Sequence, residues 1–343
     1  MAGRALITGG TGFIGGVLAT RLLSENEIRV RLLGRDFSKV SHLLNAGAEA
    51  AVGDLRDEAI VMEACRDVET VFHIGALSAP WSPGGKREFY DTNVAGTENV
   101  IAACQREGVR RLVYVSSPSV VFDGQDHRDS TEEAAFPRRF ASSYSWSKKL
   151  GEDRVNATAG TSLETIILRP KAVFGAGDTS LLPRLIAAAQ AGRLPQIGDG
   201  QNEVDLTHVD NVVEALCLCL QAPKVALHRT FTITGGESAR LWSVIRQVLT
   251  ALGIPAKLRR IPLGVALAGA ALMEARASVT KKEPLLTRYS AQILAQTQTY
   301  DTSAARRYLG YRPIVPLAEG IERTITALRR DRRTDKVPVH DAV

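Results

Sequence analysis

Short apolar runs alternate with amphipathic stretches through the first half of the chain. ALIT, VRLL, TVFHI, LVYVSS and TIILRP are rich in β-branched residues and bounded by Gly, Ser or Pro, as strands buried on both faces of a parallel sheet are. GFIGGVLATRLLSE, DEAIVMEACRD, NVAGTENVIAACQREG and YSWSKKLGEDRVNATAG fall between them and read as helices. The alternation predicts an α/β fold: a doubly wound parallel sheet with helices on both faces. After Pro170 prolines multiply, loops lengthen and clear strands thin out, apart from RTFTITGG. That half reads as a smaller C-terminal substrate lobe, with a natural cleft where it meets the sheet. The expected division assigns 1–169, rejoined by 204–236, to a nucleotide-binding domain. The lobe takes 170–203 and 237–330, and 331–343 form a basic polar tail.

Composition narrows the classes of function. Against 37 Asp and Glu the chain has 43 Lys and Arg, a net charge of +6 that sits partly in the tail. No aromatic–basic interleaving or groove-reading motif accompanies it, so no nucleic-acid partner is expected. Cys65, Cys104, Cys217 and Cys219 lie in apolar, helix-like stretches without metal-ligand spacing. They are expected as small buried hydrophobes, with no metal site. The first apolar run begins almost at Met1, which argues against a signal peptide. No run of 18 apolar residues suggests a spanning helix. The expectation is a reduced, cytoplasmic protein.

The first strand runs into TGGTGFIGG, with Gly9, Gly12 and Gly15 at every third position. Glycines there permit a tight turn, let backbone approach a pyrophosphate and let helix pack closely on strand. The helix start then offers unpaired N–H groups and a partial positive charge to phosphates. This strand–turn–helix context is the one a dinucleotide motif requires, and it brings Thr11, Phe13 and Ile14 into the candidate site. The second strand selects the nucleotide. An acidic residue at its end would accept from a ribose 2′-OH and repel a 2′-phosphate; Gly34 takes that place and Arg35 follows. This favours NADP(H). In the competing reading Asp36 takes the ribose and NAD is the cofactor. In GDLRD, Asp54 is placed to bond an adenine amino group with Leu55 against the ring, while Asp54 or Asp57 equally suits a helix N-cap.

The ordered set TGGTGFIGG, GDLRD, VFHIGA, NVAGTENV, YVSSPSVVF, YSWSK and LRPKAVFGAGD resembles an extended short-chain dehydrogenase/reductase, and the likeness continues through VDLTHVDN to RRYLGYRP. The resemblance implies a nicotinamide-binding Rossmann domain, a smaller substrate lobe, a homodimer, and a Ser–Tyr–Lys set that moves the proton. Carried over, these are Ser117, Tyr144 and Lys148. Gly75 and Ala76 would line the nicotinamide ribose, Pro170 would sit by the carboxamide, and Asn93 matches the family's helix asparagine. Ser116 and Ser119 remain alternatives to Ser117, and Lys149 to Lys148. On a helix, Tyr144 and Lys148 share one face. A free phenol titrates near about 10. An ammonium beside it is expected to favour the phenolate and bring Tyr144 towards the operating pH. His73 is expected to pack at a strand end.

Two positions separate branches of that family. Nucleotide-sugar epimerases and dehydratases typically carry Arg where VDLTHVDN has Val204, and often Asn where LRPKAVFG has Ala172. Losing the cation and the amide removes charge-assisted bonds from a diphosphate site. By contrast, LRPKAVFGAGDTSLLPRL, GDGQNEVDLTHVDN and EPLLTRYSAQIL resemble the 3β-hydroxysteroid dehydrogenase-like branch, with its sterol-4-carboxylate 3-dehydrogenase and 2-alkyl-3-oxoalkanoate reductase types. The implied activity is NAD(P)-dependent interconversion of a hydrophobic secondary alcohol and its ketone, of 3-hydroxysteroid or 2-alkyl-3-oxoalkanoate type. A nucleotide-sugar epimerase or dehydratase and a non-catalytic NAD(P)-binding regulator are the rivals. Trp81 is a candidate wall of the site. IPLGVALAGAALMEA, flanked by Arg259, Arg260, Arg276, Lys281 and Lys282, fits a membrane-surface contact or, the favoured reading, a helix capping the lobe.

Overall fold

The computed structural model describes residues 3–179, 181–255 and 258–334. The first half runs β1 (Arg4–Thr8), α1 (Phe13–Glu25), β2 (Arg29–Gly34), α2 (Ser41–Asn45), β3 (Glu49–Val52), α3 (Glu58–Cys65), β4 (Thr70–His73), α4 (Gly85–Tyr90), α5 (Gly96–Arg106), β5 (Arg111–Val115), β6 (His127–Ser130), α6 (Ser143–Asn156) and β7 (Glu164–Pro170). The second half adds β8 (Val173–Phe174), α7 (Leu182–Gln190), β9 (Gln196–Ile197), β10 (Glu203–Asp205), β11 (Thr207–His208), α8 (Val209–Leu220), β12 (Arg229–Ile233) and β13 (Ser238–Arg240). It ends with α9 (Leu241–Ala251), β14 (Arg260–Ile261), α10 (Leu263–Thr280), α11 (Arg288–Ala295), β15 (Gln298–Tyr300) and α12 (Leu317–Thr334).

The main sheet has seven strands in the order β12-β7-β5-β4-β1-β2-β3, all parallel. Its central strands are mostly apolar because both faces are covered. On one face Leu18 and Leu22 of α1 join Val212 and Leu216 of α8 over Ile7 and Phe231. On the other, Val61 and Cys65 of α3 join Val100 and Cys104 of α5 over Leu6 and Leu112. Chain direction across the sheet reverses between β1 and β4, so the crevice at their C-terminal ends is where such a sheet takes a ligand.

A second sheet, β13-β10-β15-β6, draws strands from both sides of the expected domain boundary. β6 lies within 1–169 yet pairs with β15, Gln298 opposite His127. Segment 204–236 divides: Val204 and Asp205 belong to the second sheet, whereas α8 packs on α1 and β12 edges the large sheet. Ala305, Leu309 and Tyr311 return to the core of the large sheet. Helix α12 extends to Thr334, into the range expected as a tail, and 335–343 lie outside the described residues.

α10 packs one face on the lobe, where Leu263, Ala266 and Leu267 meet its core. It buries Ala266, Ala270 and Ala277 but leaves Val265, Leu272 and Val279 exposed. By length and composition this 18-residue helix is apolar enough to cross a membrane. Counting unbroken apolar runs overlooks it, because Glu274 and Arg276 interrupt the run without lowering the helix's mean hydropathy below 1.2.

Candidate active site

The glycine turn is built for close approach. Gly9 adopts φ +68°, and a Cβ there would lie 2.7 Å from the Cα of Gly75, on the loop after β4. A Cβ on Gly15 would lie 2.3 Å from the Gly9 carbonyl oxygen, so only glycine lets α1 sit this near β1. Gly12 is the N-cap of α1 and provides no side-chain cap, which leaves the N–H groups of the first turn, Phe13, Ile14 and Gly15, facing the crevice end. At the end of β2 a Cβ on Gly34 would meet the Thr11 side chain at 2.5 Å. The turn and β2 therefore close on each other only because Gly34 has no side chain.

Arg35 is 80% exposed, with Asp54 3.8 Å away as an ion-pair partner. Asp36 is engaged locally: it accepts from the backbone N–H and the hydroxyl of Ser38, and these bonds lower its pKa. Asp54 is clamped by Arg56 through bonds of 2.8 and 2.9 Å, which hold its carboxyl below the usual range. Asp57 is the N-cap of α3, accepting from Ala59 and Ile60. Leu55 packs over Gly75 and Gly96, on the same side of the crevice.

The candidate proton-transfer residues sit on α6. Ser142 caps the helix, its hydroxyl accepting from the Ser145 N–H, and the following turns carry Tyr144, Lys148 and Glu152 along one face. Ser117 lies on the loop after β5, and its hydroxyl oxygen accepts from the Ser119 N–H at 3.2 Å. It is the serine whose hydroxyl meets Tyr144; Ser116 is turned inward, its oxygen buried without a partner. Ser78, on the loop after β4, also lies beside the Tyr144 phenol and lowers its pKa.

Lys148 is 2% exposed, and its ammonium lies 4.1 Å from the centroid of the Tyr114 ring. Burial pushes its pKa down to about 7, against the opposing field of Glu152. Tyr144 departs from the expected shift. Burial raises its pKa, and the bonds from Ser78 and Ser117 offset this only in part. The desolvation that encloses the phenol also strips Lys148 of much of its charge, so the lysine cannot draw the phenol down. At neutral pH Tyr144 is a loaded proton donor, the state needed to protonate a forming alkoxide. Lys149 faces away and pairs with Asp153.

Behind this row lies a buried polar frame. The Thr97 hydroxyl donates to the Asn93 carbonyl at 2.7 Å, so it accepts from His73 Nε2 at 2.9 Å. His73 Nδ1 then accepts from the Thr8 hydroxyl at 2.7 Å, which accepts from the Gly75 N–H at 3.1 Å. His73 is neutral and satisfied at both nitrogens; burial and the Lys148 charge push its pKa down to about 3. Asn93 sits in a π turn, Asp91–Ala95, between α4 and α5. It accepts from the Leu77 N–H at 2.6 Å and donates to the Ser147 hydroxyl at 2.9 Å, tying the loop after β4 to α6. Glu152 receives Arg169 in two bonds, 2.8 and 2.6 Å, which anchors α6 to the end of β7. Glu152 lies four residues past Lys148, so the same helical spacing that flags the lysine points to it.

Past Pro170 the lobe encloses a small apolar cavity of about 50 Å³. Ala172 and Val204 line it with Phe174, Leu182, Leu241 and Ile293. Trp81 is not among the lining residues. Tyr289 of α11 reaches from the lobe to the row of Tyr144 and lies beside Ser119 and Ser145; burial, then the nearness of Tyr144, raises its pKa. No spacing in the sequence marks Tyr289, because tertiary folding alone brings α11 beside α6. Among the described residues no group of His, Cys, Asp and Glu is placed to hold a metal ion.

Comparison with known proteins agrees with this geometry. A family model described as the 3-beta hydroxysteroid dehydrogenase/isomerase family matches residues 6–262. A 2-alkyl-3-oxoalkanoate reductase of Stenotrophomonas maltophilia (strain K279a) is 35% identical over 327 residues, covering 93% of this chain and 98% of its own. A decarboxylating sterol-4-alpha-carboxylate 3-dehydrogenase of Mus musculus is 32% identical over 346 residues, covering 96% and 93%. The solved structure of MoeE5 in complex with UDP-glucose and NAD superposes with a TM-score of 0.76 at 25% identity, covering 96% of this chain and 100% of its own. The chain belongs to the 3-beta hydroxysteroid dehydrogenase/isomerase family, within the extended short-chain dehydrogenases/reductases, and is an oxidoreductase acting on CH–OH groups.

Proposed function

We propose that the protein is an NADP(H)-preferring oxidoreductase that interconverts a hydrophobic secondary alcohol and its ketone, of 3-hydroxysteroid or 2-alkyl-3-oxoalkanoate type. The observation that carries this reading is the apolar surround beyond Pro170, where Ala172 and Val204 stand among Phe174, Leu182 and Leu241. A nucleotide-sugar diphosphate entering there would lose hydration with no cation or amide from these two positions to replace it. The names of the bacterial reductase and the sterol dehydrogenase point the same way.

The glycine cradle, the uncapped start of α1 and the Leu55 shelf fit a dinucleotide, and the NAD found with MoeE5 supports that fit. Arg35, exposed and only loosely paired, is free to meet a 2′-phosphate. A bound nicotinamide supplies or accepts the hydride. The chain's own residues handle the oxygen and the proton. Ser117 orients the substrate oxygen by donating its hydroxyl proton, and Tyr144 gives its phenolic proton to that oxygen in reduction or takes it back in oxidation. The Ser78 hydroxyl, and Lys148 in its protonated fraction, steady the phenolate that remains.

The purified protein assayed with NADPH and NADH against 3-hydroxysteroids, 2-alkyl-3-oxoalkanoates and UDP-sugars tests this. Turnover of the hydrophobic substrates is expected, and turnover of a UDP-sugar alone would overturn the reading. Tyr144→Phe should abolish turnover while leaving cofactor affinity within a few fold; retained activity would refute its acid–base role.

A further inference from the structure

The segment YSWSKKLGED sets two lysines side by side, Lys148 and Lys149, each with an acid four residues on, Glu152 and Asp153. That spacing brings both pairs within reach on the surface of a helix. The structure treats them differently. Lys149 closes on Asp153 as an ion pair. Glu152 instead receives Arg169 of β7, which donates to both carboxylate oxygens at 2.8 and 2.6 Å. Among the described residues no carboxylate lies within ion-pair distance of Lys148. Glu152 is 1% exposed and Arg169 3%, so water does not compete for the clamp.

Packing supports the separation from the opposite side. The Tyr114 ring lies 4.1 Å from the Lys148 ammonium, and its hydroxyl packs against Gly151. A Cβ at Gly151 would lie 2.2 Å from that oxygen, so the ring lies against this turn of α6 because the residue before Glu152 has no side chain. The titratable groups around Lys148 are His73 of β4, Tyr114 of β5, and Tyr144 and Glu152 one turn to either side on α6. His73 is neutral, and burial keeps both phenols protonated at neutral pH. Glu152 is the anion of this set, and Arg169 fixes where its charge sits. A negative charge held at that remove favours the ammonium through space. A contact pair would also spend the lysine's N–H donors and draw them away from Tyr144.

We propose that Arg169 and Glu152 are positioning residues for proton transfer: Arg169 holds the Glu152 carboxylate off Lys148, so that the lysine feels the charge while its donors stay free beside Tyr144. This rests on the reading of Tyr144 and Lys148 as the proton-transfer pair.

The two halves of the clamp predict opposite effects, which a merely structural ion pair would not produce. The titration of Lys148 is followed by NMR of its Cε in the full chain carrying isotope-labelled lysine, the signal being assigned by its loss in Lys148→Met. Wild type should titrate at about 7. Glu152→Gln removes the remote anion and should lower the midpoint by about one pH unit. Arg169→Met frees Glu152 to close on Lys148 as Asp153 closes on Lys149. It should raise the midpoint by about one pH unit and cut kcat roughly tenfold, with KM within about threefold. Arg169→Lys keeps a cation for Glu152 and should recover most of both. The double variant, Glu152→Met with Arg169→Met, replaces the buried pair by apolar chains, a change that folds commonly tolerate, and should match the lowered midpoint of Glu152→Gln. An unmoved midpoint in the folded double variant overturns the assignment, and so does a lowered midpoint in Arg169→Met. Retained turnover in Tyr144→Phe would instead overturn the proton-transfer reading beneath it.

Discussion

Lys148 is a catalytic candidate that the fold holds at a cost. It is buried beneath Tyr114 and His73, and its pKa falls from an ordinary 10.5 to about 7. The unfolded chain keeps this proton up to about pH 10.5 and the folded one only up to about 7. Stability therefore rises with pH across that window, is fully present above it, and carries the whole cost below it. The whole span corresponds to about 5 kcal/mol, of which about 2 kcal/mol is recovered between pH 7 and 9. Lys148→Met keeps the length and apolar stem of the side chain and removes the charge. It should be more stable than wild type at pH 7 by about 4 kcal/mol. It should also lack wild type's stability gain between pH 7 and 9, while losing turnover. Lys171, pushed down to about 8, contributes a gain of the same sign in both proteins, so the difference between the two curves isolates Lys148. Urea unfolding of the cofactor-free proteins at several pH values measures it. Parallel curves, or a variant less stable than wild type at pH 7, would refute the reasoning.

Arg35→Ala should weaken NADPH at least tenfold and leave NADH within about twofold, read by fluorescence titration; equal effects would count against a phosphate contact. Glu152→Gln leaves the buried Arg169 guanidinium facing a neutral partner, and a loss of about 3 kcal/mol in urea unfolding is expected. An unchanged midpoint would show that the pair contributes nothing to anchoring α6. Ala172 holds a left-handed backbone, φ +42°, which Asn tolerates, so Ala172→Asn should fold normally. Its amide would project into the apolar wall and raise KM for a hydrophobic substrate about tenfold, an unpaired buried amide costing about 1–3 kcal/mol. An unchanged KM would place the substrate elsewhere.

Much of this protein was legible in its linear order. Strands buried on both faces carry near-continuous apolar runs, so β1, β2, β4, β5 and β7 show themselves without knowledge of their neighbours. The glycine turn is equally local, because close approach of backbone to backbone depends on which residues lack a Cβ. Helical spacing placed Tyr144 and Lys148 on one face of α6, and the serine pair after β5 narrowed the third member to a few atoms. The replacements at Ala172 and Val204 announced an apolar site before any cavity was seen.

Tertiary structure decided what depends on distance between remote segments. It turned Ser117, and not Ser116, towards Tyr144, because only the rotation of the loop after β5 determines which hydroxyl faces the phenol. It brought Tyr289 beside Ser119 and Ser145, and Lys171 beside Gln298, pairs that no local pattern links. It also reversed the expected shift of Tyr144. A pKa is set by the solvent a fold excludes as well as by the charges it gathers, and here exclusion dominates. Spacing along a helix names the groups that share a face; only the packing around that face fixes how tightly each holds its proton.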